Sequence, residues 1–176
     1  MPPHEKERVT VLAPDTIQER VRQLAQQISQ DLAGEKLVVL GILKGAFIFL
    51  SDLVRHLDVP CQVDFVRLSS YGSSAESSGT ITMTQAPEID LTGRTVLVVE
   101  DIVDTGLTLQ WLLSRIQEMN PGSIKTCTLI DKPERRRVEV SMDYVGFHVP
   151  EGFLVGYGLD FDECFRHLPG IYELKF

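Results

Sequence analysis

Apolar positions recur along the chain in two rhythms, one of three to four residues and one of unbroken short runs. Ile17, Val21, Leu24, Ile28 and Leu32 follow the first, which places them on one face of a helix. Asp15 is positioned to cap that helix and Gly34 to stop it. LVVLGIL at residues 37–43 follows the second rhythm. Such a run fits a strand buried on both faces, as in a parallel sheet. A second helix is expected over residues 46–56 and a β segment over 61–69. SSYGSSAESSGT at residues 69–80 has no periodicity and is crowded with Ser and Gly. It reads as a mobile loop flanked by strands. TVLVVED at 95–101 is a second buried strand. Residues 105–119 read as a helix, with Leu109, Leu112, Leu113 and Ile116 turned to the core. Residues 124–130 form a third buried strand, and 144–149 and 153–157 are shorter β segments. Strands alternating with helices predict an α/β fold with a mainly parallel central sheet flanked by helices. Ligands of such sheets bind beyond the C-terminal strand ends. That points to Lys44-Gly45, to residues 100–108 and to Asp131-Lys132.

Composition narrows the functional classes. The 176 residues are 43% hydrophobic and 24% charged, which suits one folded domain rather than a disordered chain. The net charge of −8 is poorly suited to tracking a phosphate backbone, so nucleic acid is not expected as a partner. No apolar run approaches the ~20 residues that span a bilayer, so no membrane partner is expected. Residues 1–15 are polar with charges of both signs, unlike a signal peptide, and a cytoplasmic protein is expected. Cys61, Cys127 and Cys164 are widely spaced with no CxxC, which argues against a disulfide framework or zinc site. They read as small buried apolar residues. His4 and His56 read as surface residues, and His148 and His167 receive no catalytic role.

VLVVEDIVDTGLT, at residues 96–108, carries the most chemistry. A buried strand ends in Glu100 and Asp101; Ile102 and Val103 lead on to Asp104, and Thr105-Gly106-Leu107-Thr108 opens a helix. Backbone N–H groups at a helix N-terminus bind phosphate, and Gly106 permits close approach. Three carboxylates would repel a phosphate unless they face something else. Ribose hydroxyls and a divalent metal resolve the conflict, because carboxylates accept charge-assisted bonds from a diol and hold Mg²⁺ together with substrate oxygens. GILKGAF lacks the GK[ST] of a Walker loop, and there is no GxGxxG.

This stretch resembles the phosphoribosyl pyrophosphate (PRPP) signature of the type I phosphoribosyltransferases. The resemblance narrows to the hypoxanthine-guanine phosphoribosyltransferases through LKGAFIFLSDL, SSYG, VVEDIVDTG, LIDKPERR, YVGFHVP and FLVGYGLDFDECFRHLP, in that order. It implies the type I fold with a small hood near residues 150–176. It implies that Glu100 and Asp101 hold ribose hydroxyls, that Asp104 to Thr108 cradle the 5′-phosphate, and that Asp104 assists proton removal. Leu43, Lys44, Gly45, Arg136 and Arg166 would meet pyrophosphate, with a non-proline cis peptide in the Leu43-Lys44-Gly45 step. Lys132 would donate to the purine 6-oxo group, Phe153 would stack on the base, and Leu154 would meet its edge. Asp160 would belong to the purine-binding set and hold the pyrophosphate-side Mg²⁺ through water, with Glu100, Asp101 and Asp160 as the Mg²⁺ set. Ser70 and Tyr71 would belong to the closing loop. Arg135 and Arg137 read as a solvated basic turn. The implied partners are PRPP, hypoxanthine and guanine, with IMP, GMP and pyrophosphate as products, and the implied assembly is a homodimer or homotetramer.

Two alternatives remain open at this point. One is a phosphoribosyltransferase for another base, with xanthine the hardest to separate. The other is a regulator that keeps this fold as a ligand sensor, although the chain shows neither an added DNA-binding domain nor a basic face.

Overall fold

A computed structural model describes residues 7–71 and 80–176. Six strands form the central sheet in the order β4-β3-β2-β5-β6-β7. They are β2 (Leu37–Leu43), β3 (Cys61–Tyr71), β4 (Thr80–Gln85), β5 (Thr95–Val103), β6 (Ser123–Asp131) and β7 (Tyr144–His148). All neighbours run parallel except β3 and β4, which are antiparallel. A second sheet, antiparallel and three-stranded, has the order β1-β9-β8, from β1 (Arg8–Leu12), β8 (Phe153–Val155) and β9 (Ile171–Leu174).

The continuous apolar runs build the middle of the sheet because both of its faces are covered. On β2, Leu37 and Val39 pack into one core, while Val38, Leu40 and Ile42 pack into the other. On β5, Leu97 and Val99 join the first core and Val96 and Val98 the second. Helix α1 (Pro14–Asp31) covers the first face with Ile17, Val21, Leu24, Ala25 and Ile28, alongside α2 (Phe47–His56). Each fully buried Ile, Val or Leu among these stabilises the fold by roughly 1.5–3 kcal/mol. Helix α3 (Leu107–Gln117) covers the opposite face with Leu109, Leu112 and Ile116, and Leu113 is only partly buried.

Several boundaries differ from the sequence reading. Helix α1 starts at Pro14, whose fixed φ and missing N–H suit a first helical position, and Asp15 makes no cap bond. Strand β5 runs two residues past Asp101, through Ile102 and Val103, because β6 continues to pair with it as far as Val103 opposite Asp131. Thr105 and Gly106 lie before α3 rather than inside it. Ser69 to Tyr71 belong to β3 and Thr80 to β4, so both ends of the expected loop are paired strand. Residues 72–79 of that loop lie outside the described residues. The hood sheet draws β1 from the other end of the chain, which residues 150–176 alone could not reveal. Cys127 is buried, but Cys61 and Cys164 are only partly so, and all three are free thiols. No helix among the described residues is long and apolar enough to cross a membrane.

Candidate active site

The C-terminal ends of the neighbouring strands β2, β5 and β6 lie along one edge of the central sheet, which the hood reaches through Gly152 at Lys132 and Gly158 at Gly45. A cavity of about 150 Å³ at the end of β5 is lined by Glu100 to Gly106, Thr108 and Leu109. A single water needs only about 10–15 Å³ of such volume, so the cavity has room for a phosphate group. Gly106 caps α3 with φ +83°, a left-handed conformation that glycine adopts without steric cost. A Cβ there would also lie 2.8 Å from Arg136 Cδ. The loop's carbonyls are bound back to the protein. Arg136 Nε donates to the Asp104 carbonyl at 3.2 Å, and the Arg137 and Val138 N–H groups donate to the Thr105 carbonyl at 2.9 and 3.4 Å. With carbonyls tied down on one side and a helix N-terminus beginning at Leu107, the loop can present N–H groups to an anion.

Glu100 and Asp101 stand side by side at the entrance. Burial, and then the neighbouring Asp101 charge, push the Glu100 carboxyl well above the usual range. Burial pushes Asp101 up as well. Each already accepts a backbone N–H bond, from Asp101 N at 3.1 Å and Ile102 N at 2.9 Å respectively. Among the described residues neither acid has a salt-bridge partner, and the only cationic help is a longer-range attraction of Asp101 to Arg166. Two desolvated acids so placed cost the fold energy, which is the mark of groups kept for a ligand.

Gly45 lies directly against this pair. A Cβ on Gly45 would sit 1.9 Å from Asp101 Oδ2, and a Cβ on Gly158 would sit 2.1 Å from the Gly45 carbonyl oxygen. The Leu43-Lys44 bond is a non-proline cis peptide, as the resemblance implied. Gly45→Ala must therefore displace the Asp101 carboxylate. It should cut kcat/KM at least tenfold, read from initial rates at varied PRPP, because an ångström of misplacement costs on the order of a hundredfold.

Gly158 links this corner to Arg166, whose Nη1 donates to the Gly158 carbonyl at 2.7 Å. Arg166 Nη2 is 2.9 Å from Asp160 Oδ1, and the other Asp160 oxygen accepts the Glu163 N–H at 2.9 Å. Lys44 Nζ is 2.7 Å from Glu163 Oε2, and Glu163 Oε1 lies 3.4 Å from Arg166. Lys44 and Arg166 thus share one acidic neighbour, Glu163, which sequence reasoning missed.

Across the site, Lys132 follows β6 and its N–H donates to the Val103 carbonyl at 3.0 Å. This places it beside Asp104. Lys132 is buried, and burial lowers the pKa of its ammonium. Its Nζ donates to the Gly152 carbonyl, which uses one of three donors. Phe153 follows Gly152 and is 46% exposed. Leu154 is buried in the core, and its strand residue pairs with Glu173. Asp104 Oδ1 is buried without a hydrogen bond; Arg135 Nε lies 3.1 Å away as an ion pair lacking hydrogen-bond geometry. Arg135, read as a solvated turn residue, is therefore an electrostatic neighbour of Asp104. Ser70 is exposed on β3, and the backbone of Tyr71 ends that strand.

A family model described as a phosphoribosyl transferase domain matches residues 11–162. The hypoxanthine-guanine phosphoribosyltransferase of Aquifex aeolicus is 46% identical over 166 residues, covering 94% of this chain and 93% of that protein. The chain belongs to the hypoxanthine-guanine phosphoribosyltransferases. A crystal structure of this family's member from Bacillus anthracis, with HEPES in its active site, superposes with a TM-score of 0.92. It is 43% identical and covers 97% of this chain and 100% of its own. A Trypanosoma cruzi hypoxanthine phosphoribosyltransferase in a ternary substrates complex gives 0.90 at 38% identity, covering 98% and 97%.

Within this phosphoribosyltransferase, the two arginines expected to act alike have different settings. Arg166 stands in the Lys44 corner. Arg136 contacts the buried Asp131 through Nη2 and Asp104 through Nε. Asp131 is in turn 3.1 Å from His148 Nδ1. Arg136 thereby braces the loop that begins at Asp104, an arrangement that its place in the PERRR run does not reveal.

Proposed function

We propose that this enzyme transfers the 5-phosphoribosyl group of PRPP to N9 of hypoxanthine or guanine, giving IMP or GMP and pyrophosphate. One observation supports this reading above the others. The pairing of Val103 with Asp131 sets the acid pair, the loop from Asp104 and Lys132 at one edge of the sheet, and Lys132 reaches the Gly152 carbonyl next to Phe153. The 5′-phosphate occupies the loop from Asp104 to Thr108, where Ile102 and Val103 line its approach. Glu100 and Asp101 accept hydrogen bonds from the ribose hydroxyls. Lys44 and Arg166 hold the pyrophosphate, together with the backbone of Leu43 to Gly45. We assign Arg136 to bracing the loop. Lys132 directs a free donor at the 6-oxo group, Phe153 stacks on the ring, and the Leu154 backbone meets the base edge.

The acids also fit Mg²⁺. Among the described residues no cluster of three or more His, Cys, Asp or Glu could hold a metal, whereas Mg²⁺ is commonly held by one or two carboxylates plus substrate oxygens. Glu100 and Asp101 would serve on the ribose side and Asp160 near the pyrophosphate. Bound there, Mg²⁺ would neutralise charge on the departing pyrophosphate. In the transfer, the bond from the anomeric carbon to pyrophosphate breaks as N9 forms a new bond from the opposite face. Asp104, with an unbonded buried oxygen, accepts a proton from the imidazole part of the base at N7.

Asp104→Asn should lower kcat about a hundredfold or more while the PRPP dissociation constant, read by calorimetry, stays within about threefold. An unchanged kcat would remove the proton-transfer role. Ser70 and Tyr71 are proposed to close over the site. A homodimer or homotetramer, tested by light scattering, and a cytosolic location, tested by fractionation, complete the proposal.

A further inference from the structure

The ring of Phe153 does not stand alone. It meets Phe161 edge-on, with centroids 5.5 Å apart and planes at 90°, and Phe176 likewise at 5.7 Å and 87°. Phe161 and Phe176 meet each other at 5.7 Å and 68°, which closes a triangle of three rings. Phe161 is anchored, packing on the buried cluster of Val155, Phe165 and Leu174. Phe176 is 79% exposed and Phe153 46%. Clustered apolar rings at the mouth of a site belong where a ligand covers them. Edge-to-face contacts fix the plane of a ring while leaving ring face available to a flat heterocycle.

We propose that Phe176, supported by Phe161, is a positioning residue for the purine. It fixes the plane of Phe153 and acts on the base through that ring. Neither residue has any other role in the reaction described above. The inference rests on the reading that Phe153 stacks on the base, so its test separates the two.

Initial rates are measured for the wild type, Phe176→Ala, Phe176→Tyr, Phe153→Ala and the double alanine variant, with each substrate varied in turn. Phe176→Ala should raise the KM for hypoxanthine about three- to tenfold. The KM for PRPP and kcat at saturating base should stay unchanged, and so should the melting temperature of so exposed a side chain. Phe176→Tyr, which keeps the ring, should restore the wild-type KM. Phe153→Ala should raise the KM for hypoxanthine roughly tenfold to a hundredfold. In that background, removing Phe176 should add less than about twofold, because the ring it positions is gone. If Phe153→Ala raises the KM and Phe176→Ala does not, the inference fails and stacking stands. If Phe153→Ala leaves the KM unchanged, stacking fails and the inference falls with it. A loss in Phe176→Ala shared equally by both substrates, or confined to kcat, also overturns it.

Discussion

The double variant Glu100→Gln, Asp101→Asn should lose on the order of a thousandfold in kcat/KM and yet melt at a higher temperature than the wild type. Activity falls because two charge-assisted bonds to the ribose hydroxyls go, each worth about 1.5–3 kcal/mol. Stability rises because both carboxyls are desolvated next to each other. The amides keep the oxygens that accept the Asp101 and Ile102 N–H bonds, so the local backbone is not disturbed. A gain of about 1 kcal/mol corresponds to roughly 2–4 °C in a chain of this size. The pH dependence carries the same sign. A carboxyl whose folded pKa is raised holds its proton more tightly in the folded state than in the unfolded chain. Stability therefore falls as pH rises from the ordinary carboxylate range through the raised folded value. Differential scanning fluorimetry across pH should show this decline in the wild type and a flatter curve in the variant. A lower melting temperature with an unchanged pH slope would mean that the acids serve the fold rather than the ligand.

Lys132→Met should collapse the preference for oxopurines over adenine. A site built to hydrogen-bond one edge rejects a base lacking it far more strongly than shape alone can. Removing the donor should cost on the order of a hundredfold or more in kcat/KM for hypoxanthine and little for adenine. Methionine also leaves the Gly152 carbonyl without its lysine partner, at about 1–3 kcal/mol of stability. Lys132→Gln retains an amide donor for that carbonyl, so it separates lost recognition from lost folding. Equal losses for hypoxanthine and adenine in both variants would show that Lys132 supports the pocket without reading the base.

The central sheet and the edge where the site lies were legible in the sequence, because unbroken runs such as residues 37–43 and 95–101 become strands with two covered faces. The turn into helix α3 was legible too, since Gly106 between Thr105 and Leu107 marks it. The hood was only half legible. Strand β1 is a short edge strand with much of its length exposed, and its partner β9 lies at the other end of the chain, so local periodicity could not join them. Strand β4, whose TITMTQ alternates with a period of two, was expected only as an unbounded strand flanking the Ser- and Gly-rich stretch, because its antiparallel pairing with β3 is not written in the local pattern. The settings of Glu163, Arg135, Arg136 and Phe176 were not legible, since each depends on contacts between segments distant in sequence or on the fold of a turn. The family resemblance gave Arg136 and Arg166 one and the same role. Only the fold shows one bracing the loop and the other beside Lys44.

The most direct test is to incubate the purified protein with Mg²⁺ and PRPP and, separately, hypoxanthine, guanine, xanthine, adenine and uracil, and to follow nucleotide and pyrophosphate formation. Turnover with hypoxanthine and guanine, with only trace rates on adenine and none on uracil, is the predicted result. Measurable PRPP binding with no nucleotide formed from any of the five bases would contradict it and leave a ligand sensor in its place.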